Sequence, residues 1–438
     1  MRSRSDNHPL SRRRLFKIGG AAVFGALAFP DIVPASVFGA GAPSKRIHCG
    51  LVGCGSMGRV DFANITGSAE ARAVAVCDVD ASRRRAAAAE VNAAYGDTGC
   101  LAFGDFRELT RRADIDAVIV ATPDHWHGLV ALDAVRHGKD AYVEKPLTLT
   151  IEEGRVLADE ARHRRRVVQT GSQQRSSRIF RHVCELVRNG RLGKISSVEV
   201  TIPQNNRHCA ATWEPAPVPA GFDYDMWLGP APFEPYARDR THYSFRFILD
   251  YANGQITNFG AHDVDICQWA LGRDATGPVE FEGFGEFPSS GLFTSPTVID
   301  VRARYADGVE LLISNHRRAG RGTVRFIGAD GAWIDVSRGG SWASNPALLK
   351  EKIGAGEVRL YESRSHMGNF LECVRTRRAP VADVEIGHRT ATICNAAMLS
   401  MRLRRPLRWD PAREEFVGDA AANRLRGRAM RGTWRLWE

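Results

Sequence analysis

The sequence predicts an α/β chain: a Rossmann-type doubly wound parallel sheet near the N-terminus, then a second domain in which strand patterns dominate. Three observations predict it. Apolar strand patterns alternate with alanine- and arginine-rich helix patterns from residue 46 to 171, as a parallel sheet requires. A glycine-rich run, "GCGSMG" (53–58), directly follows the first of those strands. Strand-like runs then recur between 195 and 337.

"RIHCGLV" (46–52) reads as a buried strand, and a helix pattern runs from the glycine loop to about Thr66. "AVAVCDV" (73–79), "DAVIVAT" (116–122), "DAYVEK" (140–145) and "RVVQTG" (166–171) supply further strands. In the loop, Gly53 allows a tight turn, Gly55 lets a pyrophosphate approach the backbone, and Gly58 lets helix and strand pack closely. Ser56 and Met57 complete the loop at the helix N-terminus, where free N–H groups and the helix dipole favour anions. Asp78 follows Gly58 by twenty residues, at the end of the next strand, placed to bind adenosine ribose hydroxyls. A carboxylate there repels a 2′-phosphate, so NAD(H) is expected over NADP(H); Arg83, Arg84 and Arg85 are the features that pull the other way.

The length of 438 residues accommodates two domains, and 44% hydrophobic with 25% charged residues is ordinary for a soluble globular protein. Of the net charge of +10, the first 42 residues hold +4, from six basic and two acidic side chains. The rest is scattered, so nucleic acid is not an expected partner. "SRRRLFK" (11–17) precedes a short apolar run, "IGGAAVFGALAF" (18–29), and a small-residue site, "AGA" (40–42). That run falls short of the ~20 apolar residues that span a bilayer. Residues 1–42 resemble a twin-arginine signal peptide, which implies export by that machinery to the periplasm; without it the location is cytoplasmic. The nine cysteines are dispersed without CxxC spacing and read as buried free thiols, and no metal site is expected.

Of 60 basic residues only seven are lysines, and one of these, Lys145, ends an apolar strand in "YVEKP" (142–146). A lysine can lose its proton when desolvated; an arginine cannot. Farther on, a helix pattern ("RIFRHVCELVRNG", 178–190) precedes five strand runs at 195–202, 298–305, 309–316, 323–330 and 332–337. A Pro- and aromatic-rich stretch, 213–236, reads as a long ordered loop. If 256–271 is one helix, Asn258, His262 and Asp265 share a face.

Together, "LVGCGSMG", "ATPDHWHG" (121–128), "VEKP" (143–146) and "GAHDVDICQWALG" (260–272) resemble the motifs of the Gfo/Idh/MocA oxidoreductases. "WLGPAP" (227–232) and "NRLRGRAMRGTWRL" (423–436) resemble segments of its exported branch. The resemblance covers most of the chain after residue 45. It implies a Rossmann domain at 46–171 and, at 172–438, an α+β domain with an open, mainly antiparallel sheet for substrate binding and homo-oligomerisation. It implies Lys145 as the proton-transferring residue, with His262 as a second acid/base or hydroxyl contact. Thr122, Pro123, His127 and Glu144 are then expected at the cofactor, and Trp126, Asn258 and Asp265 at the substrate. Asn258 stands where inositol dehydrogenases carry an aspartate that can hold the histidine ring.

The expected activity is hydride transfer between a tightly bound NAD and a sugar or sugar derivative, in carbohydrate metabolism. The alternatives are a redox-neutral NAD-dependent glycosidase or epimerase working by transient oxidation, and a non-catalytic sugar- or cofactor-binding protein.

Overall fold

A computed structural model describes residues 45–204, 213–318 and 322–437; the expected signal peptide (1–42) and Cys209 lie outside the described residues. Six strands form the first sheet: β1 (Ile47–Val52), β2 (Ala71–Cys77), β3 (Leu101–Phe103), β4 (Ala117–Val120), β5 (Asp140–Val143) and β6 (Val168–Thr170). Their order is β3-β2-β1-β4-β5-β6, and every pairing is parallel. The order reverses between β1 and β4, so the carboxyl ends of β1, β4 and β5 open onto one crevice. β3 went unread in the sequence because it is a three-residue edge strand with Leu101 and Ala102 exposed, which leaves almost no apolar periodicity.

The second sheet has nine strands: β7 (Ile195–Thr201), β8 (Glu280–Glu286), β9 (Val298–Arg304), β10 (Glu310–Ser314), β11 (Thr323–Gly328), β12 (Trp333–Ser337), β13 (Gly340–Ala343), β14 (Leu407–Asp410) and β15 (Glu415–Phe416). Their order is β13-β12-β11-β7-β10-β9-β8-β14-β15, with β7–β10 parallel and the other pairs antiparallel. Alternation sorts the faces: Ile299, Val301 and Ala303 of β9 are buried, while Arg302 and Arg304 face outward. The inner face joins one core with the helices Arg178–Arg188, Gly260–Leu271 and Val384–Leu403. The outer face is laced with ion pairs, including Arg325–Asp335 (2.7 Å) and Arg318–Asp335 (3.1 Å). β8 was missed because glycines and glutamates dilute its apolar pattern.

Two long-range tethers hold the sheets together. Arg175, in the connection after β6, is 1% exposed; its Nε meets Asp265 Oδ2 at 2.7 Å and its Nη2 meets Asp274 Oδ1 at 2.7 Å. The other Asp265 oxygen accepts from Thr390 Oγ1 at 3.3 Å. Burial pushes the Asp265 carboxyl up and the Arg175 charge pulls it back down. This corrects the expectation that Asp265 binds sugar hydroxyls, since its carboxylate is consumed inside the fold. The C-terminal strap is the second tether. Trp434 packs edge-on against Trp126 at 4.8 Å and Leu436 is buried in the core under the parallel sheet.

Removing one partner of a buried ion pair leaves an uncompensated charge and costs about 3–5 kcal/mol. Asp265→Ala should therefore lower the unfolding free energy in urea by that amount. A loss near zero, paired with a substrate-binding defect, would restore Asp265 to the site.

Candidate functional site

The first cavity, about 260 Å³, runs along the carboxyl ends of β1 and β2. Gly53 turns the chain at φ +96°, where a Cβ would sit 2.5 Å from the Ala121 carbonyl oxygen; a Cβ on Gly58 would sit 2.0 Å from the Gly53 oxygen. Both positions exclude a side chain, and the helix Ser56–Thr66 starts directly beneath the groove, with no side chain capping its first N–H groups. Gly53, Gly55, Ser56, Met57, Asp78, Thr122 and Pro123 line this groove, whereas Gly58 lies under it. Asp78 accepts from the backbone N–H of Cys54 (2.8 Å) and of Asp80 (2.8 Å), so its carboxylate is fixed against the loop. Burial pushes that carboxyl up, and the two N–H groups hold it down. A bare-backbone cradle, an open helix N-terminus and an anchored acid are what a dinucleotide needs, and the residues fit NAD(H). Arg83 lines the same groove; Arg84 is occupied by the Asp78 carbonyl at 3.1 Å.

The second cavity, about 560 Å³, shares Ser56, Met57, Ala121 and Thr122 with the groove and continues over the ends of β4 and β5. Lys145, Glu144, His127, Asn258 and His262 line it. Lys145 Nζ donates to the Asn258 carbonyl at 2.8 Å and to Asn258 Oδ1 at 3.2 Å. The carbonyl is free because the helix expected over 256–271 is broken. Gln255–Asn258 makes one turn, Phe259 sits at the break, and the helix restarts at Gly260. His262 N–H bonds the Phe259 carbonyl (3.0 Å) instead of the Asn258 carbonyl one turn back, and Lys145 takes the released acceptor.

Burial drives the Lys145 ammonium pKa down; Glu144 and Asp124 push it back up, and Arg246 and Arg338 lower it further. Asn258 Nδ2 donates to Gln255 Oε1 at 3.0 Å. Asn258 therefore does not hold the His262 ring, and its expected pairing with that ring is corrected to a pairing with Lys145. His262 is 6% exposed, and its Nδ1 has no hydrogen-bond partner among the described residues. Burial, then the charges of Lys145 and Arg338, hold it well below the usual histidine range, so it is neutral. A buried ring nitrogen left unpaired costs about 1–3 kcal/mol, which a substrate hydroxyl can offset.

Beneath Lys145, Glu144 accepts from Gln173 Nε2 at 2.6 Å and is pushed up by burial. Asp61, buried beside it, is pushed up to about 9 by burial and the Glu144 charge, so it is protonated at neutral pH and hydrogen-bonds Glu144. The two histidines of "HWH" diverge. His127 spans the carbonyls of Pro146 (2.7 Å) and Thr122 (2.9 Å), tying β5 to β4, and it faces the second cavity. His125 Nε2 meets the Trp227 carbonyl at 3.0 Å. Trp126 also donates to that carbonyl (3.0 Å) and lines the dinucleotide groove only, which corrects its expected place at the substrate. Sequence reasoning missed Asp124, which follows Thr122-Pro123 and lines the second cavity. Burial pushes it up to about 7, against the pull of Arg246 and Lys145. Its signal was its place at the carboxyl end of β4. Arg246 and Arg338 were missed because they come from a loop and a hairpin turn.

Two family profiles match the chain: oxidoreductase family, NAD-binding Rossmann fold, over residues 47–172, and oxidoreductase family, C-terminal alpha/beta domain, over residues 182–436. Inositol 2-dehydrogenase of Burkholderia cenocepacia (strain HI2424) is 32% identical over 230 residues, which is 52% of this chain and 55% of that protein. The chain thus spans about half the length of several curated relatives it matches. Inositol 2-dehydrogenase of Rhizobium meliloti (strain 1021) is 26% identical over 71% of this chain and 79% of its own. Among solved structures, WlbA dehydrogenase from Bordetella pertussis, in complex with NADH and UDP-GlcNAcA, superposes with a TM-score of 0.62 at 18% identity, covering 83% of this chain and 99% of that one. Aldose-aldose oxidoreductase from Caulobacter crescentus, complexed with glycerol, gives 0.60 at 16%, covering 83% and 99%. At these identities the likeness establishes the fold.

Asn258→Asp tests the pairing with Lys145. A carboxylate at that distance stabilises the ammonium, so the Lys145 pKa rises and the free amine is lost at a given pH. The ascending limb of the pH–rate profile should move up by about one pH unit or more. A limb left in place would show that Lys145 is not the titrating base.

Proposed function

Because the chain belongs to the Gfo/Idh/MocA oxidoreductase family, we propose that it transfers hydride between a retained NAD(H) and a hydroxyl-bearing carbon of a sugar or sugar derivative. The observation that carries this reading is Lys145 in the second cavity, which adjoins the dinucleotide groove through Ser56, Met57, Ala121 and Thr122; the lysine is desolvated and held by the Asn258 carbonyl. When bound, the nicotinamide supplies the hydride acceptor or donor. Lys145, as the free amine, takes the hydroxyl proton as the C–H bond is cleaved; in the reverse direction its ammonium returns that proton to the oxygen. The Asn258 carbonyl and Oδ1 fix Nζ through two acceptors that carry no full charge, so they orient the amine without locking it as an ammonium. Neutral His262 offers a ring nitrogen to the same substrate oxygen.

Cofactor retention is supported by the segment 213–251. Its Phe222, Trp227, His242 and Tyr243 line the dinucleotide groove opposite the glycine loop. It is clipped to the end of β2 through Ala81 N–H to the Gly221 carbonyl (2.9 Å) and Asp223 N–H to the Val79 carbonyl (3.1 Å). A covered cofactor suits a protein exported by the twin-arginine route, because free nicotinamide cofactor is not expected outside the cytoplasm. The outer face of the nine-stranded sheet is the surface on which a homo-oligomer would form.

Protein purified without added cofactor should release NAD(H) on denaturation, detected by mass spectrometry, and Asp78→Ala should empty it. Lys145→Arg should keep the cofactor yet lose ~10²–10⁴-fold in hydride transfer to a sugar, the usual size of a general acid–base contribution. A loss under about tenfold would assign Lys145 to positioning alone.

A further inference from the structure

We infer that the second cavity is built for an acidic sugar, with Arg338, assisted by Arg246, holding a carboxylate or phosphate substituent while Lys145 and His262 face the reacting carbon. The inference rests on the oxidoreductase reading above and names its substrate class.

Arg338 is the first residue of the two-residue turn between β12 and β13, where Ser337 pairs with Gly340. The turn is stiffened by Gly339 N–H donating to Ser337 Oγ at 3.1 Å. Arg338 lines the second cavity only and is exposed to it; Arg246 lines both cavities. Arg246 is fixed in place: its guanidinium lies over the rings of Tyr243 (4.8 Å) and Phe245 (4.7 Å), and Nη1 donates to the Tyr243 carbonyl at 3.0 Å. Among the described residues, no carboxylate lies within ion-pair distance of either guanidinium. The nearby Arg325, in contrast, is held 2.7 Å from Asp335.

The charges around the cavity do not balance. Lys145, Arg246 and Arg338 stand against Asp124 and Glu144. Asp124 is pushed up to about 7, so it is about half neutral at neutral pH, and Glu144 shares its surroundings with the protonated Asp61. A neutral polyol would leave two guanidiniums beside a desolvated lysine, with no carboxylate among the described residues within ion-pair distance of either and Asp124 only about half ionised. A carboxylate or phosphate meets a guanidinium through paired N–H donors, which a hydroxyl group cannot match. Both arginines also lower the pKa of Lys145, after the larger effect of burial. Arg338 is the discriminating residue, since Arg246 also borders the dinucleotide groove and can serve the cofactor.

The test uses the holoenzyme with three sets of probes: hexuronates, the matching neutral hexoses, and hexose 6-phosphates. Turnover is read from nicotinamide absorbance. Binding is read by calorimetry on the Lys145→Met holoprotein. Arg338→Gln should reduce the ratio of kcat/KM for acidic over neutral sugar by about tenfold or more, chiefly through KM, as expected for losing a hydrogen-bonded charge. Arg338→Lys should recover part of the ratio. A preference for uronates assigns a carboxylate, and a preference for phosphates a phosphoryl group; either supports the inference. Turnover of neutral sugars with a ratio unmoved by Arg338→Gln overturns it and leaves hydride transfer standing. Acidic sugars that bind, lose binding with Arg338→Gln and are never oxidised or reduced support the anion site and sink the hydride-transfer reading.

Discussion

The hydrogen bond from Lys145 Nζ to the Asn258 carbonyl joins the two halves of the site, and the chemistry proposed for it depends on that bond. It connects the end of β5 in the parallel sheet to a helix break under the nine-stranded sheet. A buried amine needs acceptors, and a carboxylate would have held its proton too firmly. A backbone carbonyl solves both problems, but only where a helix surrenders one. The break at Phe259 does this, and it leaves His262 at the first turn of the restarted helix, with a ring nitrogen that has no partner among the described residues. One irregularity in the chain thus supplies both the anchor for the proposed base and the neighbour proposed to meet the substrate oxygen.

Much of this was legible in the sequence, and the failures have physical causes. Five of the six strands of the parallel sheet, the glycine cradle and the place of Lys145 just after an apolar strand follow from apolar runs and from glycine positions that tolerate no Cβ. Helical periodicity put Asn258 beside the His262 ring because a repeat of i, i+4 assumes an unbroken helix; the break at Phe259 pairs it with Lys145 instead. Periodicity also carries no information about Arg175, which reaches Asp265 from 90 residues away. Trp126 was assigned by its neighbours in the motif, yet its ring lies against Gly229, where a Cβ would sit 2.0 Å from the indole. The "WLGPAP" segment therefore exists to receive a tryptophan, not a sugar.

The cavity arginines mark a different boundary of sequence reading. In a chain with 60 basic residues, no pattern singles out Arg246 or Arg338; each is defined by a turn that brings it to the cavity and by having no acid within ion-pair distance among the described residues. Burial is equally invisible: Asp61 and Glu144 become a proton-sharing pair only because the fold stacks a helix over the end of β5. Residue type sets what a group can do, and enclosure decides which of its charge states persists.

The C-terminal strap carries a consequence for how the molecule is made. Trp434 and Leu436 finish the core beneath the parallel sheet, against Trp126 and its neighbours. The ribosome emits those partners about 300 residues apart, an interval of roughly 15–60 s at about 5–20 residues per second. Until Trp434 and Leu436 emerge, the nucleotide-binding half has an open apolar flank. A nascent chain that stops short of Trp434 therefore leaves the first domain to be built as the unfinished one.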